Sequence, residues 1–319
     1  MLVFREFEKF PSNLRNGVYA IGNFDGLHYG HRAVINEAKN ISSNKGLRLG
    51  VITFDPHPRQ FFNPKEPSFR LTPSFHKLQI LESWDLNLVL DIEFNKQIAE
   101  TNAEDFVLKH LVEDIGASHI VVGHDFAFGS ERKGDTKMLR ELEKKYNFSL
   151  TVVEAQVSSS GGLFSSRAIR ELLQGGRPSE AAKLLGRWWS LKSNVIKGEQ
   201  RGRDLGYPTI NLQLPEYLQP SLGIYAVWVK IHDSEDWQKG AASLGFRPTF
   251  EGRNIVLEVY LLDFSGDLYG KNVEVAFVEY LRPEEKFLDI DSLKVQMAED
   301  CKNCRVILSQ KERKADFFS

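Results

Sequence analysis

Between residues 18 and 153, short and continuously apolar runs rich in β-branched residues alternate with longer runs of helical period, a pattern that few architectures accept. Val18 to Ile21, Leu49 to Phe54, Leu88 to Ile92, Ile120 to Gly123 and Leu150 to Val153 read as strands. Their lack of polar alternation predicts strands covered on both faces. His31 to Ser42, Pro73 to Trp84, Ala103 to Ile115 and Thr136 to Tyr146 read as helices between them. Such a repeat folds into a parallel sheet with crossover helices, an architecture suited to nucleotides. Two short helices are expected next, over Arg167 to Gln174 and Ser179 to Leu185.

From Trp189 the character changes. Ser190 to Ile196, Ile224 to Ile231, Gly240 to Gly245, Ile255 to Leu262 and Val273 to Tyr280 alternate or carry bulky β-formers between Gly and Pro turns. That is the spacing of an antiparallel barrel or sandwich. A final helix from about Asp291 to Lys311 closes the chain, and Trp188-Trp189 reads as packing between domains. We expect an α/β domain over 1–185 and an antiparallel β-barrel domain with a terminal helix over 186–319, a natural division of 319 residues.

With 42% hydrophobic residues the chain can bury a core, so extensive disorder is not expected. The 41 Lys and Arg nearly cancel the 43 Asp and Glu, so no global cationic field favours nucleic acid or an anionic membrane, and phosphate binding must be local. Cys301 and Cys304 are too few for a disulfide framework and read as structural. Arg5, Glu6, Glu8 and Lys9 interrupt the start where a signal peptide needs apolar residues, and no run reaches the length of a membrane span. A cytoplasmic protein is expected. Its partners would be small molecules, with self-association left open.

Chemistry concentrates in Gly22-Asn23-Phe24-Asp25-Gly26-Leu27-His28-Tyr29-Gly30-His31, which follows a strand and opens a helix. The glycines let backbone approach a ligand, the helix start offers N–H groups and a positive dipole end, and two imidazoles three apart can donate to phosphate oxygens. A metal pair or surface polar residues are the alternatives. In the second half, Gly198, Gly202 and Gly206 punctuate a loop that runs into a strand carrying Thr209 and Asn211. Two apart on a strand, their oxygens share a side and suit Mg²⁺ beside substrate phosphates. A β-turn with Arg201 and Arg203 solvated is the alternative. Glu258 interrupts an apolar strand, where a carboxylate is costly unless used or paired; an exposed-face glutamate is the plainer explanation. The stretch Gly266 to Asn272 lacks the spacing and the Ser/Thr of a P-loop.

These strings resemble the prokaryotic bifunctional riboflavin kinase/FAD synthetase family, whose first domain is a Rossmann-like nucleotidyltransferase with an H-x-G-H signature. Thr53 to Pro58, Gly123 to Gly129 with Arg132 to Asp135, and Ser165-Ser166 with Ile169-Arg170 resemble further blocks of that domain. Pro208-Thr209-Ile210-Asn211 resembles the P-T-x-N motif of riboflavin kinases. Segments beginning at Gly223, Gly245, Leu257, Asp267 and Leu281 are similar to that family's later blocks. The resemblance implies that Asn23, Gly26, His28, His31, Ser165, Ser166 and Arg170 hold ATP, and that Phe54, Pro58, Phe62, Asp125 and Phe128 shape an FMN pocket. In the second domain it implies that Gly198, Gly202 and Gly206 border ATP, Thr209 and Asn211 take Mg²⁺, Arg282 meets the flavin, and Glu258 is base on the riboflavin 5′-hydroxyl. Arg167 stands where the family usually has threonine, and Leu163 where a basic residue often precedes the serines. Arg167 is expected to offer its guanidinium to the same phosphates. The implied activity is riboflavin to FMN, then FMN to FAD with release of pyrophosphate. A kinase with a degenerate first domain and a non-enzymatic flavin or nucleotide sensor are the alternatives.

Overall fold

The computed structural model describes residues 1–157, 162–198, 206–214, 216–232, 234, 236–249 and 252–311, with only the backbone of 247–249 and 252–254. Two compact units emerge. The first comprises Met1–Pro67 and Thr72–Ser165; the second comprises Ser68–Leu71 and the described residues from Ser166 onward.

The first unit is a six-stranded parallel sheet of β1 (Leu2–Phe4), β2 (Gly17–Ile21), β3 (Arg48–Asp55), β4 (Leu88–Glu93), β5 (His119–Gly123) and β6 (Ser149–Val153), in the order β1-β4-β3-β2-β5-β6. The five expected strands are present, and a three-residue edge strand, β1, is added by pairing with β4. Every residue of β2 is buried, as the unbroken apolar runs required. From β2 the chain steps outward through β3 to β4 and then returns to the other side of β2 with β5, so the order reverses between β2 and β5. Open α/β sheets bind ligands at the carboxyl ends of strands at such a reversal.

Helices α1 (Tyr29–Lys45), α2 (Pro58–Phe62), α3 (Ser74–Glu82), α4 (Lys96–Glu100), α5 (Ala103–Asp105) and α6 (Thr136–Tyr146) connect the strands. The run after α5, Phe106–Asp114, is wound as a π-helix rather than the α-helix its periodicity suggests. Helix α1 stops at Gly46, whose φ of 64° admits the left-handed cap.

The second unit contains α7 (Ser166–Gln174) and α8 (Pro178–Leu185), then β7 (Trp189–Asn194), β8 (Thr209–Gln213), β9 (Gly223–Ile231), β10 (Trp237–Thr249), β11 (Gly252–Leu261), β12 (Asn272–Arg282) and α9 (Ile290–Gln310). All pairings are antiparallel, in the order β7-β12-β9-β10-β11-β8. The sheet curls until its ends meet just past β7, where the Ile196 N–H donates to the Asn211 carbonyl at 2.9 Å.

Alternation sorts the faces. Leu257, Val259 and Leu261 of β11 join Tyr225, Val227 and Val229 of β9 in the core within the curl. Ala226 and Trp228 face outward and are covered by Cys301, Cys304 and Leu308 of α9. Ile169, Leu173, Ala181 and Leu185 also enter the inner core, so residues 166–185 pack with this unit. Trp188 and Trp189, expected at a domain junction, are both core residues of the second unit.

Candidate active sites

The first candidate site lies at the carboxyl ends of β2, β3 and β5. His28 caps α1, its Nδ1 accepting the His31 N–H at 3.4 Å, and the two imidazoles stack with centroids 3.7 Å apart and planes 20° from parallel. Phe24 meets the His31 ring edge-on at 5.3 Å. His28 is 5% exposed, so its orientation is held by packing. A Cβ at Gly30 would stand 3.1 Å from His28 Cε1 and 3.3 Å from the Phe164 carbonyl, which explains glycine there. That contact, with the Tyr29–Phe164 ring pair at 4.7 Å, lays the segment leading to Ser165 against the start of α1.

The loop before His28 is strained. Phe24, Gly26 and Leu27 have φ of 49°, 89° and 47°. For a residue other than glycine this region costs roughly 1–2 kcal/mol. Asn23 and Gly26 lie in this loop.

Beside it an aromatic wall extends through Phe62, Phe94, Phe54, Phe106 and Phe128, with successive centroids 5.9, 5.9, 6.4 and 5.9 Å apart. Phe54 and Phe62 expose ring surface, Phe62 most; Phe128 is buried and stacks under Phe126 at 5.4 Å. Pro58 opens α2, and Asp125 is exposed at the end of β5. Phe94 and Phe106 belong to no quoted motif. Only the periodicity of the run from 103 hinted at Phe106.

Ser166 and Arg170 belong to the second unit. There Arg170 Nε donates to the Phe69 carbonyl at 2.9 Å and its guanidinium lies over the Phe69 ring at 5.1 Å. Arg167 is exposed and donates to Glu171 Oε1 at 2.8 Å. The expected orientation toward phosphates is thus replaced by an ion pair along its own helix, the ordinary i,i+4 partnership.

The second candidate site lies on the outer face of the curl. Thr209 and Asn211 share a face of β8, and the ladder sets Asn211 opposite Glu258, which stands opposite Ser243 of β10. Glu258 is half-buried. Ser243 Oγ is 3.4 Å from Glu284 Oε1, so a second carboxylate stands near. Asn211 is 6% exposed, and the segment after β7 lies close against it: a Cβ at Gly198 would fall 2.3 Å from its Nδ2. Gly206 has φ of 88°; Gly202 lies outside the described residues.

Arg282 ends β12 with Nε and Nη2 on the two oxygens of Asp300 at 3.0 and 2.7 Å, and Nη1 on the Pro283 carbonyl at 3.0 Å. Its described contacts tie α9 to the sheet. Among the described residues one other group has cation-ligating types together, Glu8, His110 and Asp114. His110 Nδ1 is already 2.9 Å from Asp114, and Lys109 pairs with Glu8 at 3.7 Å.

Residues 10–168 match the sequence model of the FAD synthetase family, and residues 185–308 that of riboflavin kinase. The chain is 36% identical over 302 residues to a bifunctional riboflavin kinase/FMN adenylyltransferase of Listeria monocytogenes, covering 93% of this chain and 94% of that one. It is 35% identical to the protein of the same name from Escherichia coli K12, covering 89% and 90%. Among solved structures it is similar, at a TM-score of 0.83 and 28% identity over 95% of this chain and 98% of that one, to a protein from Streptococcus pneumoniae described as a macrolide-efflux protein. Among the described residues no helix is long and apolar enough to cross a membrane.

Proposed function

Because the chain belongs to the family of bifunctional riboflavin kinases/FMN adenylyltransferases, we propose that it phosphorylates riboflavin to FMN in the second unit and joins FMN to AMP from ATP in the first. The observation that carries the adenylyltransferase assignment is the stacked His28–His31 pair at a helix start, after the strand where the sheet order reverses. Attack of an FMN phosphate oxygen on the α-phosphorus of ATP moves charge onto the non-bridging and pyrophosphate oxygens. Imidazole N–H groups and the positive dipole end of a helix start stabilise that charge without a covalent intermediate. Asn23, Gly26 and Ser165 of the first unit serve the ATP phosphates; Ser166 and Arg170, which the resemblance also assigns to ATP, belong to the second unit. Phe54, Pro58 and Phe62 offer apolar surface to the isoalloxazine, Asp125 borders it, and Phe128 backs the wall from beneath.

In the second unit Glu258 takes the proton of the riboflavin 5′-hydroxyl as that oxygen attacks the γ-phosphorus of ATP and ADP leaves. Gly198, Gly202 and Gly206 let backbone approach ATP. A hydroxyl and an amide oxygen on one face of a strand fit Mg²⁺, which tolerates neutral oxygen donors when phosphates supply the charge. Thr209 and Asn211 would hold it, and when bound it neutralises the polyphosphate. Arg282 acts at the flavin side by fixing α9 through Asp300. We place the division of activities at 185/186 and the protein in the cytoplasm, in keeping with its two free thiols.

The test is purified protein with riboflavin, ATP and Mg²⁺, with FMN and FAD separated over time. Wild type should accumulate FMN and then FAD. The double variant His28→Ala, His31→Ala should stop at FMN. Glu258→Gln should fail to make FMN yet convert supplied FMN to FAD. Equal loss of both activities in either folded variant would overturn the corresponding assignment.

A further inference from the structure

The turn from Asn23 to Leu27 holds a shape its own backbone disfavours, with Phe24 and Leu27 both in the left-handed region. Such a turn needs anchors from elsewhere. Helix α3 and the residues before it provide them. The Thr72 N–H donates to Asp25 Oδ1 at 3.0 Å. Lys77 Nζ donates to Thr53 Oγ1 at 2.7 Å, and Thr53 Oγ1 donates to the Asn23 carbonyl at 3.1 Å.

The order of donors is fixed by chemistry. An ammonium offers only protons, so Thr53 must receive Lys77 on a lone pair and has its single hydroxyl proton left for Asn23. All three groups beneath the turn are withdrawn from water: Lys77 is 4% exposed, and Thr53 and Asp91 are fully buried. Asp91 lies 3.7 Å from Lys77 Nζ and accepts from Ser74 Oγ and Arg5 Nη1. A buried ammonium is costly unless paired, and here the pairing leaves one of its bonds aimed at the loop.

We infer that Lys77 is a positioning residue for adenylyl transfer: through Thr53 it holds the Asn23 carbonyl and so sets where His28 and His31 stand. This rests on the assignment of those histidines to that reaction. Thr53 also heads the segment that carries Phe54 and Pro58, so one ammonium aligns the phosphate turn after β2 with the flavin-side loop after β3. Lys77 touches neither substrate. Its effect is geometric, and displacements of about 1 Å can cost on the order of 100-fold in rate.

The experiment uses the full chain and measures kcat and KM for FAD formation from supplied FMN, with riboflavin phosphorylation as internal control. Thr53→Val keeps the volume, deletes the hydroxyl and leaves Lys77 beside Asp91; Thr53→Ser restores the hydroxyl; Lys77→Met deletes the ammonium. Thr53→Val and Lys77→Met should each lower kcat for FAD about tenfold or more with KM changed less than about threefold. Their combination should be no worse than the worse single variant, because the two act as one unit. Thr53→Ser should recover most of kcat, and the kinase rate should hold within about twofold throughout.

Additive losses, a Thr53→Val kcat within twofold of wild type, or a parallel fall of the kinase in Thr53→Val would overturn the inference. If Lys77→Met does not fold, the Thr53→Val and Thr53→Ser pair decides alone. The double histidine variant separates this inference from its premise. If FAD formation is lost there but survives Thr53→Val, only the role of Lys77 fails; if it survives the histidine variant, the site assignment fails with it.

Discussion

Arg167 shows how far a single residue can be read from sequence. Its place beside two serines invites a phosphate role, but its described ion pair is with Glu171 on the exposed side of α7. Such exposed pairs contribute little. Arg167→Ala should therefore leave FAD formation within about twofold of wild type and the melting temperature nearly unchanged. Loss of adenylyl transfer in that variant would restore the phosphate assignment. Gly198 makes the opposite case, because a methyl group there has no room beside Asn211. Gly198→Ala must displace one or the other, and riboflavin phosphorylation should fall by about an order of magnitude while supplied FMN is still adenylylated. What was legible at this scale was the placement of residues contiguous in motifs, such as His28 beside His31 at a helix start and Thr209 and Asn211 on one face of a strand. Lys77 and Thr53 lie 24 positions apart and Asp91 14 further on, so only the fold reveals their alignment.

Elements were legible where their periodicity ran long enough to be counted. Helix α6 begins and ends where its pattern does, between the Asp135 cap and left-handed Asn147. Strand β1 escaped because three residues carry no period and its register comes from β4. The π-winding of Phe106–Asp114 escaped because apolar spacing does not distinguish it from an α-helix. Helix α9 joins a legible pattern to an illegible environment. Its thiols, expected only to be structural, are raised by burial from an ordinary value near 9 to about 11 for Cys301 and about 12 for Cys304. The sign follows directly. Between pH 9 and 12 the folded chain keeps protons that the unfolded chain has released, so this contribution to stability is intact below pH 9 and is lost as pH rises through the window. Denaturant titrations should show that loss, with a shallower slope in Cys301→Ala, Cys304→Ala. Both cysteines should resist alkylation at pH 8 until the protein is unfolded. On the same helix, Asp300→Ala strands the partly buried Arg282 and should cost about 3 kcal/mol, read as a lower denaturation midpoint.

At the scale of the whole molecule the sequence separates two kinds of chain, whereas the cores separate two sets of residues, and the sets do not meet at the same place. The change from helical to strand-forming character falls at Gly186, and the family matches leave 169–184 unassigned between them. Packing assigns those residues: Ile169 and Leu173 of α7 and Ala181 of α8, with the adjoining Leu185, are all at most 2% exposed in the core of the second unit. Amphipathic helices do not announce which sheet they will cover, which is why composition could not place them. Burying a Leu or Ile side chain contributes about 1.5–3 kcal/mol, so removing the three larger side chains alone forfeits roughly 5–9 kcal/mol. Whole domains have only about 5–15 kcal/mol of net stability. A fragment cut at 186, though it contains every strand of the curled sheet, should therefore be largely unfolded at 37 °C and poor in riboflavin phosphorylation. A fragment beginning at Ser166 should unfold cooperatively at a higher temperature and keep more of the kinase rate. The comparison is made by calorimetry and by FMN formation on the two fragments side by side. Equal melting temperatures would mean that α7 and α8 cover the second unit without stabilising it, and the division at 185/186 would then describe folding as well as activity.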